Sequence, residues 1–173
     1  MPKLRKMLGR IDDPEIKALM CLIETQNHRT LTDWASAYAQ RHYLPLFTAR
    51  CTDERIPAAV HAVRAYLAGE LPLKVTKAAL ADARKAAVEI ADPAAQAAAR
   101  AIATACAALT TPANALGFAF YGAAAFAYSS AGTDAAPQEH DRLAKQELSR
   151  VLASLQSAAV ADEPHPAKIN WNC

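Results

Sequence analysis

The sequence predicts an all-α protein, a compact multi-helix bundle of about seven helices, partly stacked as helical hairpins. Hydrophobic residues make up 53% of the 173, and much of that share is alanine, the best helix former. β-branched residues are thin and glycines number only five, so little favours strands. Proline and small polar residues punctuate the chain at helix-length intervals. The length suits one core, read as a single all-helical domain over residues 1–158 and an irregular tail over 159–173.

The first helix is expected at Asp13-Pro14, an acid at the N-cap and proline at the first helical position. Ile16, Leu19, Met20 and Ile23 form its apolar stripe. A second opens at Thr30, with Asp33 completing a capping-box variant, and carries Trp34, Ala37 and Tyr38 towards Leu44-Pro45. Proline has no N–H to continue the ladder, so the helix kinks or stops there.

The third helix starts near Pro57 and runs through Val60, Val63, Arg64 and Leu67 to a stop at Gly69. The fourth covers roughly residues 73–91, with Leu80, Ala83, Ala87 and Ile90 inward. Asp92-Pro93-Ala94 and Thr111-Pro112-Ala113 then repeat one opening, a capping side chain followed by proline. The last helix spans about Pro137 to Ala158, with Leu143, Leu148, Val151, Leu152 and Leu155 as core positions. Trp171 is the residue expected to dock the tail.

The run from Ala101 to Thr133 contains no charge and is long enough to span a bilayer. Thr111-Pro112 divides it, however, and Asn114 and the threonines would lack partners in lipid. Alanine also contributes little transfer energy. A helix apolar on all sides belongs in the centre of a bundle. No membrane partner is expected.

The net charge of +2, without a basic patch, gives no reason to expect nucleic acid. The four cysteines, Cys21, Cys51, Cys106 and the terminal Cys173, lack zinc-ligand spacing. None of the five histidines pairs with another at the spacing of a helical metal site, so neither metal nor cofactor is expected. His61 reads as a surface histidine of the third helix. Near the N-terminus, MPKLRKMLGRIDDPE lacks the apolar run of a signal peptide, and the expected location is cytoplasmic. Asp53, Glu54 and Arg55 precede the third helix; they read either as acids complementing its dipole or as a charged edge for a partner.

Five segments in order carry a resemblance: LRKMLGRIDDPEIKALMCLIETQ, TLTDWASAYAQRHYLPLF, IPAAVHAVRAYLAGE, DPAAQAAARAIATACAAL and ALGFAFYGAAAFAY. Together, from about Leu4 to Gly132, they resemble the all-helical immunity proteins of bacterial toxin systems, the immunity-protein-five-like family. In that family an arginine usually stands directly before the proline of the third helix. Here Ile56 stands there and Arg55 is displaced by one. Two histidines four apart often mark the junction of the fifth and sixth helices, where this chain has Thr110 and Asn114.

The resemblance implies a non-catalytic protein that binds and neutralises a cognate toxin; a homo-oligomer is compatible with it. Such interfaces rest on a few aromatic or arginine anchors with charge complementarity around them. The candidates are Glu24, Gln26, Asp53, Glu54, Arg55 and Arg64, with Trp34 read more readily as core. The alternative is a small helical enzyme or ligand-binding module with an apolar pocket near Ala101–Tyr128. Thr110, Asn114 and Tyr121 would be its pocket residues, and Phe118, Phe120, Phe126 and Tyr128 its aromatic lining.

Overall fold

Most helices start at or next to a proline, whose fixed φ and missing N–H suit a first turn. The computed structural model describes residues 3–171; Cys173 lies outside them. Among the described residues there is no strand. Eight α-helices follow one another: α1 (Pro14–Ile23), α2 (His28–His42), α3 (Leu44–Thr48), α4 (Arg55–Leu67), α5 (Leu73–Glu89), α6 (Pro93–Ala107), α7 (Asn114–Ala131) and α8 (Pro137–Ala158). Seven are long, and the eighth is the five-residue α3 after the break at Tyr43.

Local chemistry explains most boundaries. Gly69, at φ +78°, ends α4 with its N–H on the Tyr66 carbonyl at 3.0 Å, while Glu70 N–H reaches Ala65 at 2.9 Å. This pair of bonds is a Schellman cap. Asp92 caps α6, its side chain accepting the Ala95 N–H at 2.7 Å. Three expected caps are corrected. Asn27, not Thr30, opens α2 by accepting the Thr30 N–H at 2.7 Å, and Asp33 instead binds Arg64. Asp13 does hold the N-cap position of α1 ahead of Pro14, but it forms no capping bond and turns its carboxylate back to the Arg10 N–H at 2.8 Å. Thr111 caps nothing: Asn114 N–H meets the Thr111 carbonyl at 3.0 Å and Ala115 N–H meets Pro112 at 3.0 Å. Pro112 therefore sits in a tight turn ahead of α7, not in its first turn.

The long helices reverse direction one after another. Contacts from α2 to α8 (Trp34 Nε1 to Ser154 Oγ, 2.9 Å; Tyr38 to Glu147, 3.0 Å) run antiparallel. One end of the bundle gathers the α1–α2, α4–α5 and α6–α7 turns with the C-terminus of α8: Arg29 bonds the Leu67 carbonyl, His28 that of Ala108, and Gln26 that of Val160. The far end gathers the α5–α6 turn with the N-terminus of α4, where Arg55 meets Glu89 at 2.6 Å.

The uncharged stretch forms the centre, as its composition predicts. Ala98, Ala101 and Ala105 of α6 and Ala115, Ala119 and Ala123 of α7 are fully buried. Methyl-sized side chains let two helices approach closely. Around them lie Tyr43, Phe47 and Phe118, also fully buried, each contributing roughly 1.5–3 kcal/mol of transfer energy. Among the described residues no helix is long and apolar enough to cross a membrane.

Two arms lace over this core. The N-terminal one seats Leu8 on α7, its N–H on the Phe120 carbonyl at 3.1 Å, and Tyr128 donates to the Arg5 carbonyl at 2.6 Å. The C-terminal one, after α8, packs Ala167, Ile169 and Trp171 against the core. Trp171 docks it as expected, donating its indole N–H to Glu24.

Candidate functional site

Three of the turns at the first end enclose an open cleft of about 450 Å³. Leu67, Leu73 and Leu109 form its apolar wall, and His28, Arg29, Thr32, Tyr66, Lys77 and Thr110 supply its polar groups. The sequence places them there through the caps. Asn27 starts α2 so that His28 and Arg29 stand on its first turn, and Gly69 ends α4 so that Tyr66 and Leu67 face them.

Both α2 residues also finish neighbouring helices. The His28 ring meets the Ala108 carbonyl through Nε2 at 2.7 Å, which requires Nε2 to carry the proton. Arg29 donates through Nη2 to the Leu67 carbonyl. Hydrogen-bond donors suit these positions because the last carbonyls of α4 and α6 carry partial negative charge. Lys77, exposed on the second turn of α5, has no such carbonyl and no ion pair among the described residues.

A smaller groove of about 370 Å³ adjoins it, walled by Arg29, Thr30, Asp33, Arg64, Leu67 and Ala68. Arg64 is fixed here by Asp33 Oδ1 at 2.6 Å and Ser36 Oγ at 3.3 Å. Of the residues singled out in the sequence, Arg64 and Thr110 thus line these two adjoining recesses, at the end of the molecule that also carries Gln26 and Asn114. Thr110 Oγ1 and Asn114 Nδ2 both donate to the Ala107 carbonyl, at 3.2 and 3.3 Å. Asn114 and Tyr121 do not line the cleft; Tyr121 packs half-buried against the core further along α7.

Gln26 lies under the C-terminal arm, while Glu24 is exposed and accepts from Trp171 of that arm. Gln26 is 1% exposed: its amide spans Val160, donating to the carbonyl at 3.1 Å and accepting the N–H at 2.7 Å. Its backbone carbonyl accepts the Ala167 N–H at 2.8 Å. A partner reaches Gln26 only if the arm moves.

Asp53, Glu54 and Arg55 stand at the far end. Arg55 grips Asp53 at 3.0 and 2.7 Å and Glu89 at 2.6 Å, clamping α4 to α5. Those hydrogen bonds hold the Asp53 carboxyl below the usual carboxylate range. Glu54 is exposed and occupies the N-cap position of α4 without a side-chain capping bond. Trp34 is core, edge-to-face with Phe118 at 5.2 Å.

Sequence reasoning missed a buried polar network. Glu147 of α8 is fully buried; its Oε2 accepts Tyr43 at 2.6 Å and Tyr38 at 3.0 Å, and its Oε1 accepts Arg150 Nε at 2.6 Å. Burial pushes the Glu147 carboxyl above its ordinary range, and its three donors offset this only in part. Desolvation likewise raises Tyr43 well above the usual phenol value. Arg150 covers the Phe126 ring at 4.9 Å, and beside it His42 is lowered by burial and by the Arg150 and Arg41 charges. An α8 glutamate on the inward stripe with Leu143, Leu148 and Val151 was the available signal. Among the described residues no group of three His, Cys, Asp or Glu stands ready to hold a metal.

The family model described as "Imm-5 like putative immunity protein" matches residues 21–155, well over half of the chain. The chain belongs to that family. No curated protein and no solved structure matches it. In this Imm-5 like protein the matched region begins inside α1 and ends inside α8, later at both ends than the resemblance from Leu4 to Gly132 suggested. It contains every residue of the 450 Å³ cleft and the whole Glu147 network. The C-terminal arm that covers Gln26 lies beyond it.

Proposed function

We propose that this Imm-5 like protein neutralises a cognate bacterial toxin by binding it, without catalysis of its own. The toxin docks on the end of the bundle that carries the His28–Thr110 cleft and Arg64. Family membership supplies the general reading. The observation that carries the location is an open recess on matched residues that mixes leucine walls with cationic side chains. Apolar contact with charge complementarity around it is the usual makeup of a recognition surface.

The enzyme reading has less geometric support. Of the central aromatics, Phe118 is packed edge-on against Trp34 and lies 6.3 Å from Tyr43, so that ring fills space. Tyr128 meets His140 edge-to-face at 4.8 Å, on the wall of a separate recess of about 280 Å³ that Arg5 and Asp134 also line. The functional unit under this proposal is one cytoplasmic domain over residues 1–158, with 159–173 as an arm.

The test is co-expression with a candidate toxin from the same locus, followed by co-purification. A stable complex should bury on the order of 1,600 Å². Absence of any complex, together with turnover of a small molecule abolished by Tyr121→Phe or Asn114→Ala, would return the enzyme reading to first place.

A further inference from the structure

We infer that the cleft between α2, α4, α5 and the α6–α7 turn accepts an acidic segment of the partner protein, a carboxylate flanked by apolar side chains. The inference rests on the toxin-binding reading and adds the chemistry of what is bound.

Arg29 and Lys77 line the cleft, and no aspartate or glutamate does. Neither cation is in an ion pair among the described residues, whereas Arg5, Arg55, Arg64, Arg142 and Arg150 all are. Arg29 spends one donor on the Leu67 carbonyl and keeps the rest of its fork; a guanidinium has five N–H donors. The partial charge at the end of α4 offsets only part of its full charge. The Lys77 ammonium remains wholly unspent. Two cations facing a recess without a counter-charge favour an anionic occupant.

The shape then decides between a free anion and a side chain. An inorganic anion would leave most of the roughly 450 Å³ unfilled and would not touch Leu67, Leu73 or Leu109. A glutamate or aspartate carried between leucine- or phenylalanine-like neighbours would satisfy both. Its carboxylate would meet Arg29 and Lys77, with Tyr66 in the same recess to supply a further hydroxyl donor. Its neighbours would cover the leucine wall.

The test uses the full-length protein labelled with ¹⁵N and titrated with an acetylated pentapeptide alternating glutamate with leucine and phenylalanine. Inorganic phosphate and the same peptide with lysine in place of glutamate run in parallel. The expected result is saturable amide shifts confined to the cleft-lining turns, from the acidic peptide alone. Affinity should fall by about tenfold or more in Arg29→Glu/Lys77→Glu and be retained in Lys85→Glu, which makes a charge reversal elsewhere on α5. If the reversed pair does not fold, Arg29→Gln/Lys77→Gln replaces it and should show a smaller loss in the same direction. Equal shifts from the lysine peptide, shifts elsewhere, or no saturation would overturn the proposal. Phosphate reproducing the full pattern would overturn it in favour of a small-anion site. This result is independent of whether a toxin co-purifies, so failure of the toxin reading and failure of the cleft chemistry are seen separately.

Discussion

Tyr43 stands so close to Gly122 that a Cβ at position 122 would lie 2.0 Å from its phenolic oxygen. The ring is fully buried and its hydroxyl is held by Glu147 at 2.6 Å, so it has nowhere to go. A glycine inside α7 is therefore the condition for bringing the α2–α3 break onto α7.

Gly122→Ala should destabilise the protein by about 2 kcal/mol or more, because overpacking outweighs the helix-propensity gain of about 1 kcal/mol. Gly117→Ala in the same helix is expected to do the opposite. Its Cβ would meet Thr104 Cγ2 at 3.5 Å, an ordinary contact. A gain of roughly 0.5–1 kcal/mol should follow. Urea unfolding of the two variants checks the pair; equal effects would contradict the close approach.

Glu147→Ala leaves two buried phenols and Arg150 without their acceptor and should cost about 3 kcal/mol or more. The pH dependence has a definite sign. The Glu147 carboxyl is raised in the folded state, so folding favours its protonated form. Its contribution is fully present below the ordinary carboxylate range and declines as pH rises through the raised value. The stability difference between the native protein and Glu147→Gln should therefore shrink with rising pH. A difference that grows over that window would contradict the buried, desolvated carboxylate.

Asp92→Ala and Asn27→Ala should each cost about 1 kcal/mol, since both side chains accept a first-turn N–H at 2.7 Å. Thr111→Ala should be close to neutral, because α7 starts after a tight turn and takes no side-chain cap. Thermal melts of the three separate these outcomes.

The C-terminal arm should be coupled to Gln26. Truncation after Ala158 should leave a folded bundle, less stable by about 2 kcal/mol for the lost apolar cover. Gln26→Ala should cost about 2 kcal/mol in the full chain and distinctly less once the arm is gone. A double-mutant cycle with no coupling would contradict the side-chain bonds to Val160.

Much of the fold was legible in the sequence, because proline, capping residues and alanine act locally. The span of α8 agrees with the reading of Pro137–Ala158, and Gly69 stops α4 as expected. What was not legible depends on distant partners. Glu147 meets Tyr43 and Tyr38 across sequence separations of 104 and 109 residues, and no spacing rule connects them. The cleft has the same origin. His28, Arg29 and Lys77 are unremarkable helix residues until three turns converge, so only Thr110 of its lining was singled out beforehand. Gln26 drew notice as an exposed polar end and is buried by an arm whose path no pattern announces.

Growth rescue tests the central claim most directly. Cells expressing a candidate toxin from the same locus are scored with wild-type protein, Arg29→Glu/Lys77→Glu and Lys85→Glu at matched levels of folded protein. The account predicts rescue by the wild type and by Lys85→Glu, and loss of rescue in the double variant. Toxicity unchanged by the wild type, or full rescue by the double variant, would contradict it.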